Sequence, residues 1–289
     1  MTDSITKNQT EIILKECEKI YGKVFAACLY GSQVCGYARA ESDFDVIVVL
    51  NKYDARVKYT YIKGDFEIAF LAVDKKVLED DINNAKYGDF IAGRLINPTI
   101  PLVNAEYIQN SELNIKKRII DREIKKLVYD YKIDAKFLEI NLLYFPFKKW
   151  HKLAAIYRPY LYSLDNMLRR ELRRRNLNII LKNYKKAVRE SKILYEIYPG
   201  WYGIDAEFID NSLKEPVFME RIKITEREIE QAIAGYMTHK KAGDSDMDIF
   251  IEELTGKITR EIKHIKASAF KHLLDDPGKY LNVVPQVRE

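Results

Sequence analysis

The chain has 289 residues, 48 of them Lys or Arg and 43 Asp or Glu, with 47% apolar and 12% aromatic side chains. That length buries a core easily and holds one large domain or two to three small ones. With 12 Gly, 8 Pro and 31% charged residues the chain is neither collagen-like nor mainly disordered, and it has no apolar run long enough for a transmembrane helix.

The polar start MTDSITKNQTEI lacks the apolar stretch of a secretory signal. Residues 7–21 place Ile12, Ile13, Cys17 and Ile20 at helical spacing, and Gly22 stops that helix. The short apolar run 24–30 predicts a buried strand, followed at once by Gly31-Ser32 and a loop with Gly36. The β-branched run 43–50 predicts a second buried strand, and 57–62 with 66–73 predict a hairpin across Lys63-Gly64-Asp65. A helix is expected over 75–95, then a break at Pro98 and Pro101 before Leu102-Val103. From residue 114 the pattern is helical, with helices expected over 115–144, 148–157, 163–176, 179–197, 225–241 and 246–274. Thr225 to Glu228 forms a capping box for one of them. The expected fold class is α+β: a small mixed-sheet head over 1–110, a basic helical domain over 111–200 and a C-terminal helical region over 201–289.

The three cysteines, Cys17, Cys28 and Cys35, form no CxxC pair and fit the reduced thiols of a cytoplasmic protein. The overall charge of +5 is unevenly spread. Residues 1–110 carry −3, residues 114–192 carry +14 and residues 193–289 carry −5. A basic middle between acidic ends points to phosphate, as nucleotide or nucleic acid.

The stretch from Leu29 to Val49 carries the chemistry. Gly31 and Ser32 sit where a strand ends, and backbone N–H groups there can cradle phosphate oxygens because no bulky side chain intervenes. Asp43 and Asp45 follow, and a strand's two-residue period projects both carboxylates from one face. Two such acids repel each other unless a cation sits between them, and Mg²⁺ is usually held by one or two carboxylates plus substrate phosphates. Glu67, a charge inside an otherwise apolar run, is a third candidate acid, and Asp65 shares its parity and competes for the role. Three carboxylates beside a phosphate-binding turn make a two-metal phosphoryl-transfer site.

These residues resemble the signature of the DNA polymerase β-type nucleotidyltransferase superfamily, G-S-x-x-x-G-x-A-x-x-x-S-D-x-D. It is met here by Gly31-Ser32, Gly36, Ala38, Ser42-Asp43 and Asp45, within a resemblance that covers about residues 20–105. The resemblance implies that Asp43, Asp45 and Glu67 hold two Mg²⁺ ions, that Glu67 helps deprotonate an attacking hydroxyl, and that Ser32 contacts nucleotide phosphates. Many members have Arg where this chain has Cys35, and the third acid is more often Asp. The implied reaction moves a nucleoside monophosphate from an NTP to an acceptor hydroxyl and releases pyrophosphate.

Further candidates for the nucleotide are Gly31 and Ser42 in the signature, Arg94 in the head, and Lys149, Lys152 and Arg158 in the body. Aromatic residues interleave with these bases at Phe147, Trp150, Tyr157 and Tyr160, a pattern that suits either base stacking or helix core. Arg169, Arg170, Arg173, Arg174 and Arg175 put five arginines in seven residues, an expected nucleic-acid contact. The expected acceptor is therefore RNA. The alternatives are a small molecule, as in aminoglycoside adenylyltransferases, or a protein, with the acidic C-terminal third (Glu226, Glu228, Asp244, Asp246) offering a cationic acceptor its partner. A non-catalytic member that binds nucleotide or RNA is the third alternative. No membrane partner is expected.

Overall fold

The computed structural model describes residues 5–156 and 159–214. The helices expected over 225–241 and 246–274, the acidic residues around them, Tyr157 and Arg158 lie outside the described residues.

Helix α1 (Lys7–Tyr21) opens with a capping box, in which the Thr6 hydroxyl accepts from the Gln9 N–H and the Gln9 side chain accepts from the Thr6 N–H. It leads into β1 (Ala26–Tyr30), the single-turn helix α2 (Gly31–Cys35) and β2 (Phe44–Leu50). The expected hairpin is β3 (Val57–Ile62) and β4 (Ile68–Asp74). Helix α3 (Lys75–Asn84) is shorter than the span expected over 75–95. Ala85 takes the left-handed conformation and ends it, and a 3₁₀ turn at Ala92–Ile96 follows. Strand β5 (Ile100–Val103) completes a five-stranded mixed sheet in the order β3-β4-β2-β1-β5. Only β2 and β4 run parallel, and the other three pairings are antiparallel.

Both faces of this sheet are covered. Val46, Val48, Phe70 and Ala72 pack beneath α1 against Ile13 and Cys17. Ile47, Val49, Leu71 and Val73 face the opposite way, toward Val77, Leu78 and Ile108. The alternation assigns each strand residue to a face, which decides below where the carboxylates point.

Helix α4 (Ala105–Tyr131) begins ten residues before the helix expected from 115. Asn104 caps it through a hydrogen bond from the Tyr107 N–H, and the helix runs without interruption through residue 110. It packs on β1 and β5 at one end and on the body at the other, so head and body share one long element. The body continues with a 3₁₀ turn (Lys132–Phe137), β6 (Ile140–Asn141), α5 (Tyr144–Ile156), α6 (Pro159–Met167), α7 (Arg170–Ser191), β7 (Leu194–Tyr198), β8 (Trp201–Ile204) and α8 (Ala206–Leu213). Beyond its helices it carries a three-stranded sheet, β6-β8-β7, where helix was expected to reach 197. Lys192 in the left-handed conformation ends α7, and the hairpin turns at Gly200. Phe147 and Trp150 are core residues rather than exposed rings. No described helix is long and apolar enough to cross a membrane.

All three cysteines are free and buried, and burial pushes each thiol up to about 12. The native protein should therefore leave a thiol reagent such as DTNB unreacted at pH 8 and release three thiols on unfolding, read as absorbance with and without denaturant. Rapid native labelling of any cysteine would contradict this burial.

Candidate active site

Strand β1 ends at Tyr30, and Gly31 turns the chain with a φ of +79°. A Cβ at this position would collide with the Asp45 carboxylate. Glycine is needed here twice over, for its backbone conformation and for the close approach of turn and acid. The turn closes as α2, where the Gly36 and Tyr37 N–H groups donate to the Ser32 carbonyl at 2.9 and 3.1 Å. Ser42 holds the loop that follows. Its hydroxyl accepts from the Arg39 N–H at 2.8 Å, and its carbonyl accepts from the Gln33 side chain at 3.0 Å. The geometry thus gives Ser42 a loop-closing task, while Ser32 stays on the turn.

Strand register gathers the acids. Asp45 pairs with Tyr30 on β1 and with Ala69 on β4, and Phe44 pairs with Ile68. The Phe44 N–H donates to the Glu67 carbonyl at 2.8 Å, which sets Asp43 and Glu67 side by side at the entries to β2 and β4. Asp43, Asp45 and Glu67 share the face of Ile47 and Leu71. Asp65 lies in the bend of the hairpin. Glu67 also forms an ion pair with Lys63 at 3.3 Å.

The electrostatics are those of crowded acids. Burial first, then the charge of Asp43, pushes the Asp45 carboxyl up to about 7, against the pull of Arg94 and a hydrogen bond from Tyr30. Burial also raises Asp43, opposed by its own N–H and helped by the charge of Glu67. A nearby cation relieves this strain. Among the described residues no three His, Cys, Asp or Glu side chains form a ready-made metal cage. Two carboxylates still fit the share of donors that Mg²⁺ takes from protein when phosphates supply the rest.

Arg94 sits beside this pair. Its Nε donates to the Tyr30 hydroxyl at 3.2 Å and its Nη2 to the Tyr59 hydroxyl at 2.6 Å, while Nη1 bonds the Phe90 carbonyl. Lys149 is committed elsewhere. It is 5% exposed and its ammonium meets Asp89, which also pairs with Arg118. The expected role of Lys149 toward nucleotide is thus replaced by a buried ion cluster, because its position on α5 faces the 85–92 loop. Lys152 lies one turn on and is half-buried.

The arginine run lies closer to the turn than its place in the sequence suggests. Arg169 caps α7 by position, and Arg170, Arg173, Arg174 and Arg175 fill its first two turns. The next residue, Asn176, is fully buried and donates to the carbonyls of Cys35 and Met167, both at 2.9 Å. The charge of Arg175 is felt at the Cys35 thiol. Helix α6 packs on α2 as well, with Ser163 bonded to Tyr37 and Tyr160 accepting from Asn97 at 3.0 Å. Sequence reasoning missed Tyr30, Tyr59 and Asn176, since only the register and the docking of α7 bring them to the site.

The nucleotidyltransferase domain family matches residues 10–152, about half of the chain. Residues 10–152 belong to that family, and the chain carries a nucleotidyltransferase domain of the polymerase β type. A solved structure, a nucleotidyltransferase-like protein from Exiguobacterium sibiricum, aligns over 95% of this chain and 89% of its own, at 10% identity and a TM-score of 0.30. No curated protein matches the sequence.

Proposed function

We propose that the protein transfers a nucleoside monophosphate from an NTP to the terminal hydroxyl of an RNA acceptor, with release of pyrophosphate. The observation that carries the transfer is the half-buried acid pair, Asp43 and Asp45, with Asp45 packed against the Gly31 turn inside a nucleotidyltransferase domain. Mg²⁺ held by Asp43 and Asp45, with Glu67 as a further donor, supplies charge neutralisation at the phosphates when bound. The backbone N–H groups of the Gly31-Ser32 turn and the Ser32 hydroxyl bind phosphate oxygens. Arg94 adds positive charge and, through Tyr30, keeps Asp45 oriented. Glu67, on the strand next to Asp43, stands ready to accept the proton of the attacking hydroxyl.

RNA is favoured by the +14 balance of residues 114–192 and by the docking of α7. Asn176 bonds the carbonyl of Cys35 at the end of α2, which brings the arginine-rich first turns of α7, Arg175 nearest, against that helix. Arginines so placed would hold an acceptor strand by its phosphates.

The test is label transfer from each α-³²P NTP with Mg²⁺, using total RNA, a metabolite pool or neither. Label should enter RNA, and the Arg173→Ala/Arg174→Ala/Arg175→Ala variant should bind RNA more weakly with a log–log salt slope reduced by about 2 to 3. Label in a small product or in the protein itself would overturn RNA as acceptor and keep the transfer chemistry. An unchanged salt slope in the triple variant would remove α7 from the interface.

A further inference from the structure

The face that carries the acids also carries an aromatic pair that phosphate chemistry leaves unused. Tyr61, on the edge strand β3, is 62% exposed, more than any other large apolar side chain on the five strands. Exposed apolar residues on an edge strand invite pairing or aggregation and are usually covered or replaced by charge. Tyr61 is held in place instead. Its ring stacks on Tyr59 with centroids 6.0 Å apart and planes at 13°. Tyr59 accepts a hydrogen bond from Arg94, and Arg94 also donates to Tyr30.

Register fixes where this ring stands. Tyr61 pairs with Ala69, Ala69 with Asp45, and Asp45 with Tyr30, so four residues form one row across β3, β4, β2 and β1 on a single face. Adjacent strands are about 4.8 Å apart, which sets Tyr61 about 10 Å from Asp45 at the backbone. The strand residue between them, Ala69, contributes only a methyl group, and Arg94 reaches over this face to the Tyr30 and Tyr59 hydroxyls. Glu67 lies on the same face, diagonal to Tyr61 across the hairpin. The Gly31 turn is at the opposite side of Asp45, next to Tyr30. Phosphoryl transfer needs the attacking and leaving oxygens roughly in line. With the triphosphate on the Gly31 side, the acceptor must arrive over β4 and β3, past Glu67 and onto Tyr61.

We propose that Tyr61, backed by Tyr59, is the stacking platform for the terminal nucleobase of the acceptor strand. This rests on the RNA-directed reading above and names the contact that positions the acceptor's end. A flat ring of any base stacks on such a surface, so the platform anchors the strand without selecting its sequence.

The test is equilibrium binding to the full-length chain, with two probes measured separately. One is a 5′-fluorescein single-stranded oligoribonucleotide, read by anisotropy; the other is mant-ATP, read by fluorescence. Tyr61→Ala should weaken oligonucleotide binding about 5- to 100-fold and leave mant-ATP binding within twofold. Tyr61→Phe and Tyr61→Trp keep a flat ring and should bind the oligonucleotide like wild type. An oligonucleotide whose 3′-terminal residue is abasic should bind wild type about as weakly as the intact strand binds Tyr61→Ala, and should lose nothing further in that variant. Unchanged oligonucleotide binding by Tyr61→Ala would overturn the platform while leaving the RNA reading standing. Loss of mant-ATP binding instead would assign the ring to the NTP and overturn its acceptor role. A wild type that binds mant-ATP but no oligonucleotide would overturn the RNA reading, and the platform with it.

Discussion

Replacing Asp45 by Asn should reduce nucleotidyl transfer by on the order of 10³-fold or more while leaving the fold intact. The substitution keeps the shape of the side chain and its place against Gly31 but removes the negative charge with which, on the proposed function, Asp45 would hold a divalent cation. Stability should move the other way, because the wild-type carboxyl is strained. Burial and Asp43 raise its folded value to about 7, above the ordinary 3.8. Between those two values the folded state binds more protons than the unfolded chain. Stability of the metal-free protein therefore falls as pH rises from about 4 through 7, and at pH 8 the full penalty is present. Asp45→Asn should flatten that slope and raise the melting temperature at pH 8. Activity should rise toward neutral pH as Asp45 ionises, with a midpoint below 7, since a bound cation favours the ionised form. Thermal melts from pH 5 to 8 with and without Mg²⁺, beside label-transfer rates, read all of this. Transfer by Asp45→Asn within tenfold of wild type would remove Asp45 from the chemistry.

The two parts of the chain differed in how much could be foreseen, and the difference has physical causes. Strands β1 to β4 were legible because each is a short apolar or β-branched run bounded by Gly, Asp or Asn, and β1, β2 and β4 are buried along almost their whole length. The Gly31-Ser32 turn and the Asp43/Asp45 spacing were legible because local backbone geometry sets them. The body was less so. Helix α4 starts at Ala105 because Asn104 caps it, a local signal that the expected start of the helical pattern at residue 114 passed over. Strand β7 was read as helix because Leu194, Glu196 and Ile197 carry no strong period, and its partner β8 lies beyond a tight turn at Gly200. The aromatic and basic residues of the body were ambiguous for a different reason. Trp150 and Lys149 are buried by contacts with Asn97 and Asp89, more than 50 residues earlier in the chain. The arginine run was visible as composition, but its docking against α2 is not, since it joins Asn176 to Cys35 across 141 residues.

The largest effect on stability is expected at Asp89, which joins head to body. Asp81 organises the loop first. Its carboxylate accepts from the N–H groups of Tyr87, Asp89, Ile91 and Ala92 at 2.8 to 3.1 Å. Asp89 then projects from that loop, 1% exposed, between Arg118 of α4 and Lys149 of α5. Burial pulls the ammonium of Lys149 well below its usual range, with Lys152 adding to the effect and Asp81 opposing it. Burial likewise lowers Arg118, to about 10. These two cations are tolerable inside the protein because anions face them. Asp89→Ala strands both, and breaking a buried pair in this way costs about 3 to 5 kcal/mol. Urea unfolding should show the midpoint falling sharply at an unchanged slope. Loss of a carboxylate alone does not explain the result if Asp89→Leu/Arg118→Met/Lys149→Met recovers most of the stability, since that variant removes the stranded charges along with their partner. An unfolding free energy for Asp89→Ala within about 0.5 kcal/mol of wild type would show that the two cations do not depend on Asp89.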